Sequence, residues 1–231
     1  MKLGIIGAMD VEVAALKAKM ENINTAVHAG SAYFEGELEG CPAVVVQCGV
    51  GKVNAALCAQ ILISVYGVTA IVNTGIAGSL CAELDIGDLV VSRDAMYHDF
   101  EVTAFDYEMG KVPGMDVVAF PANEEMVSAA FTAAEAENPG HTKIGRIATG
   151  DQFVCRQEQK DCIIEITGAL CTEMEGAAIA HTAYRNGVPF VILRAISDKA
   201  DDSAEMDYPT FEAIAAARCA AVTCRLAAAL K

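Results

Sequence analysis

Asp198 follows an apolar run, residues 188–197, that reads Val-Pro-Phe-Val-Ile-Leu-Arg-Ala-Ile-Ser. Continuous branched hydrophobicity of this kind predicts a strand buried on both faces of a parallel sheet. Open α/β sheets place their ligand crevices at such strand ends, which puts Ser197 and Asp198 at a crevice. The same strand carries Arg194, and a buried cation needs an anionic partner, which Glu12, Glu173 or Glu175 would supply. Glu173 and Glu175 flank Met174 between the apolar residues 166–171 and a small-residue helix over 176–185. An extended backbone there would turn both carboxylates to one side, and Gly176-Ala177-Ala178 would let the helix pack closely and leave Glu175 facing a cleft. Glu12 falls in the first turn of the helix after the first strand. Asp10 could equally serve as the acid that favours a helix N-terminus, and Asp198 could equally be a turn residue. Carboxylates around one crevice fit hydrolysis at a sugar carbon: one activates water and the other, held protonated, supplies the leaving group's proton.

The elements that must position these groups alternate along the chain. Strands are expected at 3–6, 43–48, 70–73, 88–93 and 143–148, with a hairpin over 27–39. Helices are expected at 10–20, 53–66 and 123–137, residues 157–166 are mixed, and a final helix begins near Pro209 and runs towards Leu230. Pro209 suits a first helical position. The alternation predicts an α/β fold, a three-layer α/β/α arrangement on a central mixed, twisted sheet, and no linker divides residues 1–231. Glycine pairs follow three strands, at Gly4 and Gly7, Gly49 and Gly51, and Gly75 and Gly78. They read as tight strand-to-helix turns that also let backbone approach a flat or anionic ligand. None completes a dinucleotide fingerprint, because Asn54 stands where the third glycine after Gly49 would be. Gly51-Lys52 lacks the flanking residues of a P-loop.

Composition narrows the classes. A net charge of −15 with no basic run argues against nucleic-acid partners. The nine cysteines form no Cys-x-x-Cys pair and several lie in apolar runs, which suits reduced thiols in a cytoplasmic protein. The four histidines are scattered, so no metal site and no cofactor is expected. Residues 53–82 contain no charged side chain, but their polar residues and Gly67 fit helix, turn and buried strand better than a membrane span.

Several segments, taken in order, resemble one family: residues 4–12 (Gly-Ile-Ile-Gly-Ala-Met-Asp-Val-Glu), 49–53 (Gly-Val-Gly-Lys-Val), 73–78 (Asn-Thr-Gly-Ile-Ala-Gly), 102–105 (Val-Thr-Ala-Phe), 173–175 (Glu-Met-Glu) and 194–198 (Arg-Ala-Ile-Ser-Asp). Together they are similar to the 5′-methylthioadenosine/S-adenosylhomocysteine nucleosidases of the purine nucleoside phosphorylase superfamily. The resemblance implies an adenine nucleoside substrate, with Asp198 as the general acid at adenine N7 and Glu12 as the group that activates water. Arg194 would help to position that water, and Ser197 would support the acid. Glu175 would accept hydrogen bonds from the ribose hydroxyls and Met174 would pack on the sugar beside Glu173. Phe153 would stack on adenine and the Val154 backbone would read its edge. Met9, Val50 and Tyr208 would line the pocket. Val102, Phe105 and Pro113, in the loop 102–113, would cover the 5′ group from a partner subunit, making a homodimer part of the site. The family pattern carries Ser where this chain has Ile76, a residue that cannot hydrogen-bond phosphate or water through its side chain. The resemblance leaves a phosphorolytic transferase, a related aminodeoxyfutalosine-type nucleosidase and a non-catalytic nucleoside binder as rival readings.

Overall fold

The computed structural model describes residues 1–231, the side chain of residue 206 excepted. Ten strands join in one mixed sheet: β1 Leu3–Gly7, β2 Met20–His28, β3 Ser31–Leu38, β4 Cys41–Gln47, β5 Ala70–Ser79, β6 Leu89–Tyr97, β7 Phe120–Pro121, β8 Thr142–Thr149, β9 Cys171–Glu173 and β10 Phe190–Asp198. β1 lies between β4 and β5, parallel to both, and β5 pairs in parallel with β10. β10 continues antiparallel to β6, β6 runs parallel to β8, β8 parallel to β9, and β9 returns antiparallel to β5. The five strands β5, β10, β6, β8 and β9 therefore close into a ring, from which β1, β4, β3 and β2 extend as an open wing.

Period-two alternation divides the apolar side chains between two cores. Leu3, Ile5, Val72, Val191 and Leu193 pack with α1 (Asp10–Lys19), α3 (Glu124–Glu137) and α6 (Ala204–Ala229). Ile6, Val44, Val46, Ile71, Phe190 and Ile192 pack against α2 (Lys52–Ser64) and α5 (Gly176–Asn186). Both faces of the central strands are thus covered, which gives the expected α/β/α layering. The remaining helix, α4 (Gln157–Thr167), covers β8 and resolves the segment that read as mixed.

Three local expectations need correction. Gly75 and Gly78 are not turn residues: β5 runs on through both to Ser79. Gly4 and Gly7 likewise lie within β1, and a Cβ on Gly4 would press on Leu62 and Val68 of the neighbouring layer. Only Gly49 and Gly51 form the predicted turn, with φ of +86° and +99°, in the region that favours glycine. The final helix begins at Ala204, so Pro209 is inside it and removes one N–H from the early turns rather than starting them. Glu205 and Asp207 supply the acidic first turn. The uncharged stretch divides into α2, a turn at Gly67 and β5, and no helix among the described residues is long and apolar enough to cross a membrane.

Candidate active site

The ends of β1, β5, β9 and β10 meet at a cleft. Its walls include Met9, Glu12, Val50, Ile76, Phe153, Val154, Glu173, Met174, Glu175, Ser197, Asp198 and Tyr208, so distant acids do converge on one space.

Glu12 arrives from the first turn of α1. Its Oε2 accepts hydrogen bonds from the backbone N–H groups of Ala8 at 2.6 Å and Met9 at 2.9 Å, and Oε1 accepts one from Ile76 at 3.1 Å. Glu12 therefore does serve the helix start, but its carboxylate also reaches across to β5 and lines the cleft. Burial raises its pKa, against the opposing pull of Arg194 and the three N–H donors. In-strand Gly75 makes this reach possible, because any side chain there would overlap the carboxylate.

Asp198 ends β10, 2% exposed. Its Oδ1 accepts from Ala200 N–H and its Oδ2 from the Ser197 hydroxyl, both at 2.8 Å. Burial raises its pKa, and Asp207 and Asp201 add to the rise, while the two hydrogen bonds resist it. A carboxyl group that tends to keep its proton is suited to act as a general acid.

Glu173 and Glu175 part ways. The backbone turns at Glu175 (φ −132°, ψ −39°), the N-cap of α5, and both side chains line the cleft as expected, but with different partners. Glu173 Oε2 accepts the N–H groups of Glu175 and Gly176 and pairs with Arg194, while Oε1 accepts the Thr149 hydroxyl. Glu175 Oε1 instead accepts the Gly51 N–H at 2.8 Å. Burial, reinforced by Glu173, pushes the Glu175 pKa up to about 7.

Arg194 does not line the cleft. It is 2% exposed and its guanidinium also donates to Asn73 Oδ1 at 2.6 Å, so of the three candidate partners Glu173 takes the direct pair. Burial alone would disfavour its charge, but Glu173, Glu12 and Glu175 together hold its pKa above the ordinary value. Arg194 thus acts behind the site, as the counter-charge that lets three acids share a small volume.

Phe153 sits edge-on to Tyr208, ring centroids 5.5 Å apart, and the Tyr208 hydroxyl donates to Met9 Sδ at 3.2 Å. Half-exposed Phe153 and Val50 leave a flat apolar mouth. Val102, Phe105 and Pro113 lie away from this chain's cleft, and Phe105 is 76% exposed on a short 3₁₀ turn. Sequence reasoning missed Ala8, Ala77, Gln152 and Thr172 in the walls, and Gly78 lies there as a backbone position open to a ligand. Thr172 was findable, one residue before Glu173, and its buried hydroxyl has no partner within the chain. Among the described residues no cluster of three or more His, Cys, Asp or Glu is arranged to hold a metal ion.

The family model of the phosphorylase superfamily matches residues 2–228. A 5′-methylthioadenosine/S-adenosylhomocysteine nucleosidase of Psychromonas ingrahamii is 40% identical over 218 residues, 94% of each chain. The chain belongs to this nucleosidase family of the phosphorylase superfamily. The nucleosidase of Neisseria meningitidis, solved in complex with methylthio-immucillin-A, superposes with a TM-score of 0.96 at 35% identity, over 99% of both chains. A futalosine hydrolase of Helicobacter pylori superposes with a TM-score of 0.93 at 31% identity, over 98% of this chain and 97% of that one. Nucleosidase-family architecture thus extends over nearly every element described above.

Proposed function

We propose that the protein hydrolyses the N-glycosidic bond of 5′-methylthioadenosine and S-adenosylhomocysteine, releasing adenine and the 5-thioribose product. Family membership and the substrates named for its relatives support the reaction. The observation that carries the choice of water over phosphate is the lining itself. Four carboxylates (Glu12, Glu173, Glu175, Asp198) and no Lys or Arg face the cleft among the described residues. Phosphate would find no cation in the lining to hold it, whereas a developing oxocarbenium ion would be stabilised by carboxylates beside it. Ile76 adds an apolar wall where a hydroxyl could have held an anion.

In this reading Asp198 delivers a proton to adenine N7 as the glycosidic bond lengthens, and Glu12 takes a proton from water that attacks the ribosyl carbon. Glu175 holds the ribose hydroxyls, Met174 packs beside the sugar, and Phe153 and Val154 face the base. Ser197 orients Asp198. Arg194 keeps the acid cluster in place from behind, paired with Glu173. A second copy of the chain supplies Val102, Phe105 and Pro113 over the 5′ group, since an exposed phenylalanine among charged residues suits an interface. The enzyme acts in the cytoplasm.

Incubation with 5′-methylthioadenosine in phosphate-free buffer tests the reading. Adenine should appear without phosphate. Adenine that appears only when phosphate is added would make the enzyme a phosphorylase, and binding with no release at all would make it a nucleoside-binding protein.

A further inference from the structure

Lys52 is the first residue of α2, a position where the helix dipole disfavours a cation. Its ammonium group lies 2.7 Å from both oxygens of Asp99 and 3.7 Å from Asp151 Oδ2. Its own backbone N–H donates to Asp151 Oδ1 at 2.9 Å, and the Asp151 N–H donates to Asp99 Oδ2 at 2.9 Å. The cluster therefore ties together three segments far apart in sequence: the Gly49–Gly51 turn, the residues just after β6, and the loop that continues into Phe153. Lys52 and Asp99 side chains are only 23% and 14% exposed, so the pair is less screened than an ordinary surface ion pair.

The residue before Lys52 is Gly51, whose N–H is the hydrogen bond donor to Glu175. Gly51 holds a φ of +99°, and a Cβ there would lie 3.1 Å from Asp151 Oδ1, so the turn is clasped tightly by the same aspartate. None of Lys52, Asp99 or Asp151 lines the cleft.

We infer that Lys52 is a positioning residue: its ion pairs with Asp99 and Asp151 fix the Gly51 amide against Glu175 and thereby set how firmly the ribose hydroxyls are held. The inference rests on the reading of Glu175 as the ribose acceptor. Without the latch, α2 keeps most of its packing, but the donor that aligns the Glu175 carboxylate drifts.

The test compares kcat/KM for 5′-methylthioadenosine and its 3′-deoxy analogue in the wild type, Lys52→Met, Lys52→Arg and Asp99→Asn. The wild type should prefer the intact ribose by about tenfold or more, because an unfilled polar acceptor is costly. Lys52→Met should cut that preference by about fivefold, and Lys52→Arg, which keeps the charge, should restore most of it. Asp99→Asn removes the ion pair with little change of shape and should behave like Lys52→Met, which covers the case in which Lys52→Met does not fold. Equal losses for both nucleosides, leaving the preference unchanged, would make the cluster merely structural and overturn the inference. A wild type with no preference would instead refute the role given to Glu175, and the inference would fall with it.

Discussion

The Glu12 carboxylate occupies the space that a side chain on residue 75 would need. A Cβ built on Gly75 would overlap Oε1 and lie 2.9 Å from both the Glu12 carboxyl carbon and Arg194 Nη1. Glu12 is held in this place by three backbone N–H groups, which any retreat would break. Gly75→Ala should therefore displace the carboxylate proposed to activate water. We expect kcat to fall at least about tenfold, since small misplacements of reacting groups have large effects on rate. Steady-state adenine release, alongside circular dichroism to verify the fold, measures this.

Asp198→Asn keeps the side-chain shape and the cleft but cannot donate an acidic proton. Turnover should drop by about 10²–10⁴-fold, the usual worth of a positioned general acid. Nucleoside affinity, read by titration calorimetry, should change little. Near-normal turnover would reassign the acid.

Glu175 makes stability depend on pH. Its pKa stands at 4.5 in the open chain and rises to about 7 in the folded one. Between those values the folded state holds a proton that the unfolded state has released, so raising the pH through this window removes stability. Glu175→Gln eliminates the buried charge next to Glu173 and should flatten that part of the profile. Above pH 7 the variant should be more stable than the wild type, by up to about 3 kcal/mol, while losing activity. Urea unfolding at pH 5 and pH 8 gives the comparison, and an unchanged pH slope would contradict it.

Arg194→Met should have the opposite effect on stability. It leaves Glu173 buried without its cation, a loss of about 3–5 kcal/mol by analogy with other broken buried pairs. Chemical denaturation reads the size directly. A loss under about 1 kcal/mol would mean that Thr149 and the α5 amides satisfy Glu173 unaided.

Phe105→Ala tests the second copy. If the exposed ring covers a partner's 5′ group, KM for 5′-methylthioadenosine should rise about tenfold or more, matching the burial of one aromatic side chain. Affinity for free adenine should hold. Sedimentation of the wild type should show a dimer; a monomer with full activity would rule out the shared site.

The strand-end acids were legible in the sequence because largely apolar runs stop at Asp198 and just before Glu173. A chain segment buried on both faces can place a carboxylate only where it emerges into polar space. Gly75 and Gly78 misled for a physical reason. In a single sequence, a glycine that ends a strand and a glycine that lets a neighbour press on the strand look alike. Gly75 admits Glu12, and a Cβ on Gly78 would lie 2.8 Å from Asp198 Oδ1, so both are in-strand accommodations of acidic side chains at the cleft. Pro209 misled because proline at a helix start and proline early inside a helix share the same local pattern. The Lys52 cluster was hidden altogether, since its bonds span separations of 47 and 99 residues that only the folded sheet brings together.

The closure of β5, β10, β6, β8 and β9 on one another bears on how the enzyme would fail when heated. Within that circle β10 pairs with β5 as far as Asp198 and with β6 over Leu193–Ala195, so the strand that carries Asp198 is anchored on both flanks below its tip. Inactivation and loss of secondary structure should coincide at one temperature, with no dormant, still-folded species preceding collapse.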